Sequence, residues 1–223
     1  MNQIDRTFKE LKKRKKKAFI AFLTAGYPNL KATEDLVVSF ASAGVDIIEI
    51  GVPFSDPLAD GKTIQAASQK ALEHHITLEK ILQLVKRLRT RTDIPIALMT
   101  YYNPVFHFGD AKFISQAKAA GVDGLIIPDL PPEEAKDLIK AARAKNIATI
   151  FFLAPTTSKH RIKRIADASS GFIYYVSVTG ITGTGQSIAA GSIRKHIKQV
   201  KKFTNKPICI GFGVSTPEQV RSL

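Results

Sequence analysis

The chain has 223 residues, 44% of them hydrophobic and 23% charged, an ordinary soluble composition that is long enough to bury a core. This excludes a disordered tail, a collagen-like fibre and a disulfide framework, because Cys209 has no second cysteine to pair with. Lys and Arg total 33 against 19 Asp and Glu, and the net charge of +14 makes a polyanion the first partner to consider.

From the N-terminus, the pattern predicts a short basic helix over about residues 2–17, ending in six consecutive cations, Lys12 to Lys17. The next run, Ala18-Phe19-Ile20-Ala21-Phe22-Leu23, could be joined to it as a secretory signal. Asp5 and Glu10 spoil the basic leader and the apolar run is short, so it reads as a buried first strand and the protein as cytoplasmic. No apolar run reaches the roughly 18 residues of a membrane-spanning helix. Six more apolar runs rich in β-branched and aromatic residues follow, at 45–50, 95–100, 124–128, 147–153, 172–178 and 207–211. Amphipathic patterns lie between the runs, at Lys31–Ala43, Thr77–Leu88, Ala111–Ala120, Pro132–Ala144 and Ser158–Ala168. Pro132 with Glu133 and Glu134 suits a first helical turn, and Gly44 and Gly121 suit helix C-terminal caps. Cations cluster again at 159–164 and 194–206. The aromatics sit mainly in the apolar runs and do not interleave with cations as a nucleic-acid groove would require.

Seven runs alternating with helices imply a parallel sheet of right-handed βαβ units, either open and doubly wound or closed into a barrel. No Gly-x-Gly-x-x-Gly loop follows the first strand, which favours a (β/α)8 TIM barrel forming a single domain over residues 1–223. A typical barrel runs to about 250 residues, so the expectation is a barrel whose last βα unit is absent.

In such a barrel, chemistry gathers at the C-terminal ends of the strands. Glu49 lies near that end of the second run, among apolar neighbours that would raise its pKa toward a general acid/base range. A carboxylate salt-bridged within the barrel, or pointing outward at a helix, is the non-catalytic alternative. Asp60 lies in the following loop, where Asp60-Gly61 could also serve only as a turn and helix cap. Together the two carboxylates resemble an acid/base pair with separate roles. The glycine-rich segments Thr179–Gly185 and Gly211-Phe212-Gly213 could offer backbone amides to a phosphate. No strand ends in a lysine, which argues against a Schiff base. His74, His75, His107, His160 and His196 lack zinc spacing, and Cys209 reads as a small core residue, so no metal site is expected.

Several segments carry a family resemblance: Ala21–Pro28, Ile48–Pro57 with Ala59-Asp60-Gly61, Tyr101–Pro104, Pro128–Pro131 and Gly211–Pro217. Over nearly its full length the chain resembles the tryptophan synthase alpha subunits. The resemblance implies a carbon-carbon lyase that cleaves indole-3-glycerol phosphate to indole and glyceraldehyde 3-phosphate. By similarity, Glu49 is the general acid/base and Asp60 binds the indole N–H. Phe22, Tyr174 and Phe212 would wall the ring, Gly183 and Gly213 would offer amides to the phosphate, and Thr182 would position the catalytic acid. The resemblance also implies an alpha2-beta2 tetramer with a beta subunit that carries pyridoxal phosphate, so no cofactor is expected in this chain. Pro53, Asp56, Pro57 and Asn103 match the face toward that partner. Another phosphate-binding barrel, such as an isomerase, fits the Glu49–Gly61 segment poorly. A non-catalytic activator of the beta subunit and a basic polyanion-binding barrel are the alternatives.

Overall fold

Strands and helices alternate along the chain in the computed structural model, which describes residues 1–176, 190–211 and 216–222. Helix α1 (Gln3–Lys13) precedes β1 (Ile20–Thr24), α2 (Leu30–Ser42) and β2 (Ile47–Gly51). Then come α3 (Lys62–Glu73), α4 (Leu78–Leu88), β3 (Ile96–Met99), α5 (Tyr102–Phe108) and α6 (Asp110–Ala120). They are followed by β4 (Gly124–Ile126), α7 (Lys136–Ala144), β5 (Ala148–Ile150), β6 (Phe152–Leu153), α8 (Lys159–Ala168) and β7 (Ile173–Val176). The last elements are α9 (Ala190–Val200), β8 (Ile208–Gly211) and α10 (Pro217–Ser222).

All pairings are parallel, in the orders β1-β2-β3-β4-β5 and β6-β7-β8. The expected run at 147–153 divides at Phe151, because its two halves bond to different neighbours. Its first half pairs with β4 and its second with β7. Ser170 N–H donates to the Thr149 carbonyl at 2.8 Å and Tyr174 N–H to the Phe151 carbonyl at 3.0 Å, which carries the ladder across the division. The strands thus form the seven staves of a TIM-type barrel wall.

Two apolar layers follow from the strand pleat. Side chains such as Ile48, Ile50, Leu98, Leu125 and Ile173 point outward and pack under the helices. Ile47, Ala97, Met99, Ile126, Ala148 and Ile150 point into the barrel, with Phe22, Phe152, Tyr174 and Cys209 packed around them.

Helix α1 closes the N-terminal mouth. The Asn2 side chain caps it by accepting from Ile4 N–H at 2.7 Å, and its amide donates to the Asp123 carbonyl ahead of β4 at 2.5 Å. Ile4 is fully buried, and its methyls lie where side chains at Gly124 and Gly171 would stand. Phe8 packs on Phe172 with ring centroids 5.8 Å apart. Arg89, after α4, ties the same end together. It donates to the carbonyls of Gly121 and Ile94 and to Asp123 Oδ2 at 2.7 Å.

Three local expectations are corrected. The basic helix stops at Lys13, not Lys17. Lys15 takes a left-handed φ of 55° and Lys16 N–H donates back to the Leu11 carbonyl at 2.9 Å, turning the chain toward β1. Helix α7 starts at Lys136, not Pro132. Residues 132–134 form a turn, and Glu133 pairs with Arg161 and Arg164 of α8 at 3.2 Å each. Helix α5 has no expected counterpart. It carries Pro104 in its first turn, where a missing N–H costs no helical hydrogen bond.

Ile4→Ala should destabilise the protein by about 2–5 kcal/mol, because it opens a cavity under the barrel floor. Urea unfolding checks this, and an unchanged midpoint would show that α1 does not contribute to the core.

Candidate active site

Glu49 owes its position to the pleat of β2. Ile48 and Ile50 occupy the helix-facing layer, so the intervening carboxyl must point into the barrel. It sits in register between Phe22 of β1 and Ala97 of β3, and that row continues through Gly124 to Ala148. Small residues on one side and an aromatic ring on the other leave room for the carboxyl but bring it no cation. Glu49 is 2% exposed, and among the described residues its Oε1 has no hydrogen-bond partner. The other described polar contact is the Tyr174 hydroxyl.

Burial pushes the Glu49 pKa up to about 8, against a smaller lowering by the Tyr174 hydrogen bond. At neutral pH the side chain is therefore largely a neutral acid with a proton to give. Burial and the nearby Glu49 charge raise the Tyr174 hydroxyl well above the ordinary tyrosine range, so it remains a donor. The Tyr174 ring packs on Phe152 with centroids 5.1 Å apart. Gly211 at the end of β8 makes this placement possible, since a Cβ there would lie 2.2 Å from Tyr174 Cε1. Gly51 does the same for Phe22, whose Cζ would be 2.6 Å from an added Cβ. Cys209, opposite Tyr174 in the ladder, lines the same interior. Its thiol is raised by burial and by Glu49, which keeps it protonated.

Asp60 is held by a different device. The N-cap of α3 is Gly61, so the Asp60 carboxyl does not act as that helix's cap. Its Oδ2 accepts from the Tyr101 hydroxyl at 3.1 Å, and the same hydroxyl accepts from Ala59 N–H at 2.9 Å. Phe54 stacks on the Tyr101 ring with centroids 5.2 Å apart. Burial raises the Asp60 pKa, and the Tyr101 bond opposes this. Nearby, Asp129 accepts from Tyr102 N–H at 2.9 Å and fixes the start of α5.

The structure brings Phe22, Glu49 and Tyr174 together in the barrel and places Asp60 on the loop after β2, anchored to the end of β3. Thr182, Gly183, Phe212 and Gly213 lie outside the described residues. Asp56 and Asn103 are exposed and Pro57 is half-buried, with Leu58 beside them 89% exposed. Pro53, at the start of the same loop, is buried. Two roles were not visible in the sequence. One is Tyr101 as the anchor of Asp60; the other is Tyr174 as a hydrogen-bond donor to Glu49 as well as an apolar wall. Both depend on contacts across more than 40 residues of chain. Among the described residues, no group of three His, Cys, Asp or Glu side chains is placed to hold a metal ion. Nor is any described helix long and apolar enough to cross a membrane.

Residues 8–223 match the family model described as the tryptophan synthase alpha chain. The chain belongs to the tryptophan synthase alpha family. It is 50% identical to the alpha chain of Geotalea daltonii, over all 223 residues and 84% of that protein. It superimposes on the alpha subunit of Legionella pneumophila with a TM-score of 0.91 at 35% identity, covering 100% of this chain and 82% of that one. A chain of the Pyrococcus furiosus tryptophan synthase α2β2 complex matches with a TM-score of 0.84 at 38% identity, over 92% of this chain and 82% of that one.

A glutamate whose pKa rises on folding binds its proton more tightly in the native state, so folding loses stability as pH rises from its unfolded value toward about 8. Glu49→Gln removes that penalty. Its urea midpoint should match that of the parent protein near pH 5 and exceed it increasingly toward pH 8. Parallel profiles would mean that Glu49 is solvated.

Proposed function

We propose that this chain cleaves indole-3-glycerol phosphate to indole and glyceraldehyde 3-phosphate, with Glu49 as the acid/base group. The observation that carries the assignment is a fully buried carboxyl inside the barrel of this family, with a pKa pushed up to about 8, hydrogen-bonded to Tyr174 and, among the described residues, otherwise unpartnered. A protonated Glu49 delivers its proton to the indole ring carbon that bears the side chain. The Glu49 carboxylate so formed takes the proton of the adjoining side-chain hydroxyl, whose oxygen forms the aldehyde C=O as the carbon–carbon bond breaks. The electron pair of that bond returns to the ring and its nitrogen, so no external oxidant or reductant is needed. Asp60 accepts the indole N–H and balances the positive charge that the ring acquires on protonation. Tyr101 holds Asp60 in place for this, and its raised pKa keeps it a donor in that pair.

Phe22 and Tyr174 form the described walls for the ring. Phe212 would add a third wall, Gly183 and Gly213 would bind the phosphate, and Thr182 would orient Glu49. The loop residues Pro53, Asp56, Pro57 and Asn103 face a beta subunit in an α2β2 tetramer, and pyridoxal phosphate belongs to that partner. The reaction takes place in the cytoplasm.

Glu49→Gln should lower the rate of indole release by about 10²- to 10⁴-fold while the fold persists. Activity surviving this change would remove Glu49 from its role. Tyr101→Phe takes away the donor to Asp60 and should lower kcat/KM for indole release by about tenfold, with Glu49-dependent pH behaviour unchanged. Steady-state assays across pH separate the two effects.

A further inference from the structure

The proposed chemistry uses two carboxylates and one small anionic substrate at the C-terminal ends of the strands. It leaves most of the +14 charge without a role. The structure gathers a large part of that charge on the opposite face. Lys12, Lys13, Arg14, Lys15, Lys16 and Lys17 are all exposed where α1 ends, beneath the barrel. The loop between α9 and β8 lies beside them and adds Lys201, Lys202 and Lys206, surrounding a cleft of about 610 Å³. Lys201 is held below the ordinary lysine range by partial burial and then by the charge of Lys12, which places the two segments side by side. Arg143 at the end of α7 acts on Lys206 in the same sense.

Neutralisation is sparse. Glu10 pairs with Lys13 at 2.8 Å, and Asp5 and Asp167 act on Lys206. Lys201 donates to the Lys206 carbonyl at 2.7 Å and Lys206 to the Ala166 carbonyl, contacts that orient the ammonium groups without cancelling their charge. Among the described residues, the other five cations of the N-terminal run make no ion pair. Holding so many like charges together costs free energy unless a polyanion offsets it. One aromatic ring, Phe203, stands 39% exposed between Lys202 and Lys206 and lines the cleft. The apolar face of α1 does not compete for a bilayer, because Ile4 and Phe8 pack into the barrel interior and Leu11 is buried.

We propose that the N-terminal face of the barrel binds the sugar-phosphate backbone of single-stranded nucleic acid without sequence preference. The cations of the 12–17 run and the 201–206 loop track the phosphates, and Phe203 offers its ring to a base. The inference does not depend on the proposed reaction.

The test is fluorescence anisotropy of a labelled oligothymidylate titrated with the protein between about 50 and 200 mM salt. If about five phosphates are neutralised, log K should fall with log salt at a slope of about −3.5, roughly a hundredfold loss over that range. The triple variant Lys15→Glu, Lys16→Glu, Lys17→Glu should bind at least about tenfold more weakly and with a shallower slope. Phe203→Ala should weaken binding without changing the slope. Urea midpoints show that both variants remain folded. A slope near zero, or a triple variant that binds as well as the parent protein, would overturn the proposal. Tighter binding to phosphatidylserine vesicles than to the oligonucleotide at equal salt would also overturn it and assign the face to a membrane.

Discussion

The pleat of β2 places a carboxyl inside the barrel, where none of the described cations pairs with it, and much of the barrel interior is arranged around that placement. Isoleucines on either side must face the helices, so Glu49 must face inward. An ionised carboxyl in that position would lose its hydration without compensation, and the side chain holds its proton instead. Each neighbour can be read from this constraint. Ala97 is small enough to leave space, Phe22 is apolar, and Tyr174 donates a hydrogen bond that tempers the pKa without fully lowering it. Gly51 and Gly211 have no side chain because the rings of Phe22 and Tyr174 occupy that volume.

The second carboxyl shows a contrasting design. Asp60 stands on a loop, and its position comes from Tyr101 at the end of β3, itself stacked on Phe54. A buried acid in the wall and a tethered acid on an adjoining loop can hold different protonation states, which is what a reaction with one proton donor and one stabilising anion needs. Both are carried by adjoining strands of the barrel wall, β2 and β3. Below them, α1 seals the floor through Asn2 and Ile4, and Arg89 ties the turn ahead of β3 to the turn ahead of β4 through the Ile94 and Gly121 carbonyls and Asp123.

Cations cluster at the N-terminal end of the strands, where α1 turns and the α9–β8 loop meets it. Interleaving of aromatics and cations along the chain is a poor guide to such a surface. Phe203 and the Lys12–Lys17 run are almost 190 residues apart in sequence. Only the closing of the barrel sets them on one face.

The amino-acid sequence by itself determined the alternation of strands and helices and hence the barrel, since apolar period and helical amphipathicity are local properties. It also pointed to Glu49 and Asp60, because an acid within an apolar strand and an acid in the next loop stand out without knowledge of their neighbours. It did not determine where the first helix stops, how the 147–153 run divides between two neighbours, or that Glu133 leaves its helix to meet two arginines on α8. Nor did it reveal that Tyr174 bonds Glu49, that Tyr101 anchors Asp60, or that Pro53 is buried. Those are decided by contacts between residues far apart in the chain, whose energies exist only once the strands have been brought into register.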